Sequence, residues 1–226
     1  MKIFSETEEW VCLEKPADVS CSAVVAALHE ARFGEKFSAI YTLDQATSGF
    51  LVCAKTLAAR DALKNAYGSD LFTFTFYGWG RMQHVCPQNW ECDLSIAWDP
   101  LKNRAYPSKT NGKKAKTSFA VQNVFGNHLS FIATTHYLRP QQLQIHAHFS
   151  HFDILGDSMW IPRPHYVYLK DLKDFVKNAS DEPITSGLHL ALGKIQFPYK
   201  KEAFEISFPL PAKWIHLQKI LQKYAS

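Results

Sequence analysis

A short polar segment in front of an apolar run contains the residues best suited to chemistry. Residues 41–49 hold one carboxylate, Asp44, followed by Thr47 and Ser48 within four positions. An aspartate in such a turn most often accepts hydrogen bonds from nearby backbone N–H groups. A desolvated carboxylate in a pocket can instead act as a nucleophile or a general base. Composition alone favours the structural role, so Asp44 is a candidate that needs further support.

Three histidines form a second cluster, His146, His148 and His151. On a helix, His148 and His151 would share one face and could bind a metal ion. No carboxylate or cysteine near them completes a ligand set. We therefore predict no metal site. The sequence also contains no P-loop, Rossmann fingerprint or G-x-S-x-G motif, so we expect no cofactor.

The segment 100–116 is basic and contains the dipeptide Asn111-Gly112, which is typical of a turn. Its cations are Lys102, Arg104, Lys109, Lys113, Lys114 and Lys116. We predict a hairpin tip here. Such a tip is usually only solvated, and contact with nucleic-acid phosphate is the less common alternative.

Hydrophobic patterning predicts the elements that must position these residues. Phe72, Phe74 and Phe76 alternate with polar neighbours in a strand over 71–79, a stripe that more often forms core than a base-stacking platform. Further strands are predicted over 10–15, 50–54, 92–97, 117–124, 128–134, 188–197 and 203–208. Helices are predicted after Ser20 or Ser22, after Thr56, from Pro140 and from Pro211. The strands do not alternate regularly with helices, so we predict an α+β fold with a mixed, largely antiparallel sheet.

Composition excludes several classes of protein. The chain has 226 residues, 46% of them hydrophobic, which is enough for a sizeable core. Five cysteines without a C-x-x-C pair argue against a disulfide framework or zinc ribbon. The N-terminus lacks an apolar signal region, and no apolar run is long enough to span a membrane, so we expect a cytoplasmic location. The net charge of +4 is compatible with a polyanionic partner.

Several separated blocks together resemble the RluA family of RNA pseudouridine synthases. Residues 43–49 resemble the signature HRLDxxTSG through Leu43, Asp44, Thr47, Ser48 and Gly49. The other blocks, in chain order, are Leu13–Pro16 ("NKP"), Phe50–Thr56 ("GLLLLAKT"), Ala115–Phe119 ("AxTxY/F"), Arg139–His146 ("GRTHQLRVH"), Ile154–Asp157 ("ILGD") and Pro209–Pro211 ("APLP"). Their order and spacing cover nearly the whole chain. The resemblance therefore predicts the pseudouridine synthase fold with a central cleft, in a single domain over residues 1–226 without an S4 domain.

The resemblance also implies a reaction and a site. Family members break the C1′–N1 bond of a uridine in RNA and rejoin the base through C5, without a metal or redox cofactor. By analogy, Asp44 is the catalytic carboxylate, and Thr42, Thr47, Phe74, Arg139 and Gln144 are expected to contact RNA or substrate. We expect Asp44 at the floor of a cleft between the Phe74 strand and the segment 139–146.

This sequence departs from the family at the positions that support the aspartate. The family His-Arg pair before Leu-Asp is Tyr41-Thr42, the tyrosine of KxYxAxVxG is Phe74, the basic residue of HQLR is Gln144, and the histidine of the late LHA motif aligns with Ala191. Without a cation at position 144, a buried Asp44 should have a raised pKa. We therefore expect weak catalysis, with Arg139 as the first candidate for the missing charge.

Two functions follow from these observations. The first is an RNA pseudouridine synthase that acts as a monomer on a uridine in ribosomal or transfer RNA. The alternative is a catalytically weak or inactive RNA-binding protein that retains the fold.

Overall fold

The structure is a computed structural model that describes residues 2–172 and 182–225. Its strands are β1 (Ile3–Glu6), β2 (Trp10–Lys15), β3 (Ser38–Ala39), β4 (Ser48–Ala54), β5 (Thr73–Met82), β6 (Asn89–Cys92), β7 (Ile96–Asp99), β8 (Arg104–Pro107), β9 (Thr117–Phe125), β10 (His128–Thr135), β11 (Phe152–Ile154), β12 (Leu190–Tyr199) and β13 (Glu202–Ser207). Its helices are α1 (Cys21–Ala31), α2 (Leu57–Gly68), α3 (Gln142–Phe149), α4 (Leu169–Leu172) and α5 (Ala212–Tyr224).

One large mixed sheet dominates the described part of the chain. Its strand order is β1-β2-β4-β12-β5-β10-β9-β6, with β3, β11 and β13 paired to its members. The β4–β12 pair is parallel and the other pairs of this sheet are antiparallel. The predicted α+β class with a largely antiparallel sheet is confirmed.

The alternating aromatic pattern places β5 at the centre of the core. Phe72, Phe74 and Phe76 are buried, while Thr73 and Thr75 are half-buried on the other face. Burying a large apolar side chain contributes about 1.5–3 kcal/mol, so this stripe strongly fixes the register of the strand. The central strand that contacts both β10 and β12 is thus set by its own sequence.

The helix starts also follow the local sequence. The Ser20 side chain accepts a hydrogen bond from the Ala23 N–H, and the Thr56 side chain accepts one from the Ala59 N–H. Each satisfies a backbone donor that the first helical turn leaves free. Both predicted N-caps are confirmed.

The predicted strand over 92–97 is wrong. Cys92 ends β6, which pairs with β9 in the large sheet, and Ile96 begins β7, which pairs with β8 in a separate hairpin. The chain changes sheet between them, so the apolar pattern runs across a break. The basic segment does contain a hairpin turn, at residues 100–103 between β7 and β8, but Asn111-Gly112 lies beyond β8 and not at this tip.

The start of α3 also differs from the expectation. Pro140 was predicted in the first turn, but the helix begins at Gln142 and Gln141 has a left-handed backbone with φ of 55°. A non-glycine residue in this conformation is uncommon and is maintained by its surroundings. Among the described residues, no helix is long and apolar enough to span a membrane.

Candidate active site

Asp44 lies in the turn between β3 and β4. The Thr47 N–H donates to the Asp44 carbonyl oxygen at 3.0 Å and closes the turn. Gly49 follows at the start of β4 with φ of 148°, and a Cβ on it would lie 2.5 Å from the Leu192 Cβ. Only glycine fits this close approach of β4 to β12. The Asp-x-x-Thr-Ser-Gly spacing therefore fixes the carboxylate against the edge of the parallel strand pair.

The Asp44 carboxylate is bound by one backbone donor from the segment before α3. The Gln141 N–H lies 3.1 Å from Oδ1 and 2.9 Å from Oδ2 of Asp44. A backbone donor shared by both oxygens orients the carboxylate and favours its charged form. The left-handed backbone at Gln141 thus has a local role at this carboxylate.

Gln141 is in turn attached to the β7–β8 hairpin. Its side-chain Oε1 accepts a hydrogen bond of 3.1 Å from the Ala105 N–H of β8. Gln141 and Ala105 are both buried. This bond links the hairpin to the residue that binds Asp44.

Lys15, at the end of β2, is a cation whose charge acts to lower the pKa of Asp44. Its side chain is fully buried, and Nζ donates to the carbonyl oxygens of Pro16, Val19 and Gln45 at 2.9, 2.7 and 2.8 Å. Burial lowers the pKa of Lys15, while the charge of Asp44 acts to raise it. Lys15 thus stabilises the turn through Gln45 and supplies positive charge near Asp44.

Burial controls the charge state of Asp44. It raises the pKa of the carboxyl to about 6, against the lowering effects of the Gln141 N–H and of Lys15. Asp157, a second buried carboxylate nearby, also acts to raise that pKa. The expected raised pKa is confirmed, and at neutral pH Asp44 is mostly ionised.

Asp44 faces a small pocket that we call the Asp44 pocket. It encloses about 40 Å³, room for only a few water molecules. Its lining residues are Thr42, Leu43, Asp44, Thr47, Phe76, Leu138, Arg139, Pro140, Leu143 and Leu190. The buried Thr47 Oγ1 has no hydrogen-bond partner. An unsatisfied buried hydroxyl calls for a ligand atom or a water, so the pocket has an unused polar contact beside Asp44.

The structure brings Thr42, Thr47 and Arg139 to Asp44, as expected. Thr42 is exposed at the rim and Arg139 is half-buried. The Arg139 guanidinium, however, lies over the Tyr137 ring at 4.2 Å, and its Nε donates to the Lys114 carbonyl oxygen. The missing charge is therefore not supplied by Arg139 in a direct pair with Asp44.

The β5 strand lines the Asp44 pocket through Phe76 rather than Phe74. Phe74 has no exposed surface and packs against Tyr41, Tyr67 and Phe72. In the motif KxYxAxVxG, position 76 is the alanine, so the larger ring here takes up part of the pocket. As placed, Phe74 offers no free ring face to a base, and its stacking role stays a prediction.

Gln144 lies buried on α3 and does not line the Asp44 pocket. No hydrogen bond joins it to Asp44 in the described part of the chain, and its Oε1 has no partner. The segment 139–146 contacts the Asp44 carboxylate through the Gln141 backbone N–H and not through the Gln144 side chain. His146, on the same helix, is buried and bonded to Thr117 and the Leu94 carbonyl oxygen, which is a structural role.

The histidine cluster does not form a metal site in the structure. His148 Nδ1 lies 2.7 Å from Asp153 Oδ1, while the His151 ring packs against His84. Within residues 2–172 and 182–225, no group of three His, Cys, Asp or Glu side chains is arranged to hold a metal ion.

Sequence reasoning missed three residues of this site: Lys15, Phe76 and Gln141. Lys15 had a signal, because a lysine at the end of an apolar strand and before Pro16 is an unusual residue to bury. Phe76 also had a signal, because it occupies the position of the alanine in the motif KxYxAxVxG. Gln141 acts through its backbone N–H, and side-chain type gives no signal for that.

Comparison with known proteins supports the resemblance. No family model matches the chain. The ribosomal large subunit pseudouridine synthase D of Haemophilus ducreyi is 26% identical over 190 residues, 81% of this chain and 55% of the relative. The protein of the same name from Vibrio vulnificus is 24% identical over 190 residues, 82% of this chain and 56% of the relative. The chain thus spans about half the length of the curated relatives that it matches.

Solved structures show the fold. Human RNA pseudouridylate synthase domain containing 4 has a TM-score of 0.76 at 18% identity, over 98% of this chain and 93% of that one. Human RNA pseudouridylate synthase domain containing 1 has a TM-score of 0.70 at 16% identity, over 97% of this chain and 94% of that one. The chain has the pseudouridine synthase fold. Within that class, its sequence resembles the RluA-type pseudouridine synthases, as the curated relatives show.

Proposed function

We propose that this protein is an RNA pseudouridine synthase in which Asp44 is the essential carboxylate. The observation that supports this most directly is the placement of Asp44. It lies half-buried at a pocket of a pseudouridine synthase fold, with its carboxylate oriented by the Gln141 N–H. A carboxylate that is oriented, partly desolvated and still ionised at neutral pH is suited to act as a nucleophile or a base.

The proposed reaction isomerises a uridine in ribosomal or transfer RNA. The C1′–N1 bond breaks and its electron pair stays on N1, the uracil turns, and C5 bonds to C1′. The hydrogen on C5 then leaves as a proton and N1 takes up a proton, so the composition of the nucleotide is unchanged. Asp44 acts on the sugar or the base, and Thr47 Oγ1 is free to hydrogen-bond the bound nucleotide. The proposal includes action as a single chain in the cytoplasm.

Release of tritium from RNA labelled at C5 of uridine measures this reaction, since C5 loses its hydrogen when it bonds to C1′. We expect release by the wild-type protein and none by Asp44→Asn. Asp18→Asn is the matched control, because Asp18 is exposed and outside the Asp44 pocket. Equal release by wild type and Asp44→Asn would remove Asp44 from the reaction.

A second candidate function is binding of RNA without catalysis. The Asp44 pocket is small, Phe76 narrows it, and Thr42 and Gln144 replace two cationic residues of the family motif. A uracil must displace lining side chains before it can reach Asp44. Binding of RNA without tritium release at any pH from about 5 to 8, the range around the Asp44 pKa, would favour this candidate.

A further inference from the structure

A groove beside the Asp44 pocket has the size and chemistry of a second nucleotide site. It encloses about 490 Å³, within the range of about 300–1,000 Å³ that is usual for ligand pockets. Thr42, Leu138, Arg139 and Pro140 line both this groove and the Asp44 pocket, so the two are adjacent. We call it the side groove.

Three cations from separate parts of the chain meet at the side groove. They are Lys64 of α2, Lys113 after β8, and Arg139 before α3. Among the described residues, no carboxylate lines the groove, and neither Lys64 nor Lys113 has a salt-bridge partner. A larger cavity that Arg139 also lines contains Asp70, Glu91 and Asp93 as well as cations. The side groove is therefore the cavity next to Asp44 whose charge suits a phosphate.

The side groove also holds an aromatic ring without a partner. Trp98 of β7 is 43% exposed, and no ring contact of Trp98 occurs within the described residues. Tyr137, by contrast, is covered on both sides, by the Tyr67 ring at 4.3 Å and by the Arg139 guanidinium at 4.2 Å. An exposed indole next to exposed cations is an arrangement by which proteins bind unpaired bases.

We propose that the side groove binds the unpaired nucleotide next to the uridine that reaches Asp44. The base stacks on Trp98, and its phosphate lies near Lys64 and Lys113. The position beside a target uridine rests on the proposed function. Binding of a single-stranded nucleotide by the groove does not.

The affinity for a fluorescein-labelled single-stranded oligouridylate of about eight nucleotides tests this proposal. We expect Trp98→Ala to raise Kd about tenfold, since base–aromatic stacking is lost, and Trp98→Phe to raise it less than about threefold, because a ring remains. Tyr106→Ala is the matched control. Tyr106 is 38% exposed on the same hairpin, and its pairing with Ala97 places it on the opposite face to Trp98.

A second pair of variants, Lys113→Gln and its control Lys102→Gln, tests the phosphate contact. Lys113→Gln should lower the salt slope of binding by about 0.7, the contribution of one phosphate contact on a single strand. Lys102→Gln should leave the slope unchanged, because Lys102 is exposed in the β7–β8 turn and does not line the groove.

The outcomes separate this proposal from the proposed function. Equal losses of oligouridylate affinity in Trp98→Ala and Tyr106→Ala, or an unchanged Kd in Trp98→Ala, would overturn the proposal that the side groove binds a nucleotide. This holds even if the protein forms pseudouridine. A tenfold loss confined to Trp98→Ala supports the groove even in a protein that forms none.

Discussion

At Asp44, burial raises the pKa of the carboxyl by more than the neighbouring donor and cation lower it. The pKa of about 6 follows from burial first, and the Gln141 N–H and Lys15 offset only part of it. The carboxylate must be ionised to act as a nucleophile or a base. We therefore expect kcat/KM to rise with pH and to level off above about pH 7, with an apparent pKa near 6. A rate that does not change between about pH 5 and 8 would contradict this assignment.

The same pKa gives Asp44 a defined effect on stability. The folded-state pKa of about 6 lies above the ordinary value of 3.8. Between these values the folded protein binds more protons than the unfolded chain, so stability falls as pH rises through this window. Asp44→Asn removes that loss and should be more stable than wild type by up to about 3 kcal/mol at pH 7. Urea unfolding at pH 4 and 7 measures this difference, which should be small at the lower pH.

Phe76 limits the size of the Asp44 pocket. Phe76→Ala restores the residue of the family motif and should increase the rate of pseudouridine formation, because uracil gains space beside Asp44. It should also cost about 3–5 kcal/mol of stability, since the ring is buried. Phe72→Ala is the control, because Phe72 immediately precedes β5, is equally buried and does not line the pocket. A gain in rate with Phe72→Ala, or none with Phe76→Ala in folded protein, would exclude this role for Phe76.

At the scale of elements, the β7–β8 hairpin is connected to the Asp44 carboxylate through Gln141. The Ala105 N–H of β8 bonds the Gln141 side chain, and the Gln141 N–H bonds Asp44. Gln141→Gly keeps the N–H and suits the positive φ, but it removes the bond to the hairpin. We expect the apparent pKa in the pH–rate profile to rise by about half a unit or more as the Gln141 N–H loosens.

A substitution on α3, the helix that follows Gln141, is the control for Gln141→Gly. Gln144→Leu removes an unsatisfied buried oxygen and should leave the profile in place, because Gln144 makes no bond to Asp44. An unchanged profile in Gln141→Gly, or an equal shift in Gln144→Leu, would mean that the hairpin does not position Asp44.

The elements show which parts of the fold the sequence could predict. Strands with a clear alternation, such as β5, and helices with a capping residue, such as α1 and α2, were predicted because the signal is local. The strand over 92–97 failed because its pattern crosses a change of sheet, which depends on distant partners. Likewise, Asp44 was found through its motif, whereas Gln141 and its left-handed backbone arise from tertiary contacts with Asp44 and Ala105.

Over the whole molecule, the excess of positive charge gives a prediction for RNA binding. The net charge is +4, and Lys64, Lys113 and Arg139 meet at one groove. Neutralisation of phosphates releases counterions, so affinity should fall steeply between about 50 and 200 mM salt. These three cations alone give a slope of about −2 in a plot of log K against log salt for a single strand. Fluorescence anisotropy measures this slope, and a salt-independent affinity would contradict a phosphate-binding groove.

The nucleoside composition of RNA after incubation with the protein tests the central claim most directly. Ribosomal and transfer RNA lacking pseudouridine are incubated with wild type or Asp44→Asn, digested to nucleosides and separated by chromatography. We predict pseudouridine with wild type, none with Asp44→Asn, and similar RNA affinity for both proteins. RNA that is bound by wild type but contains no pseudouridine would contradict the catalytic account and would favour a protein that binds RNA without modifying it.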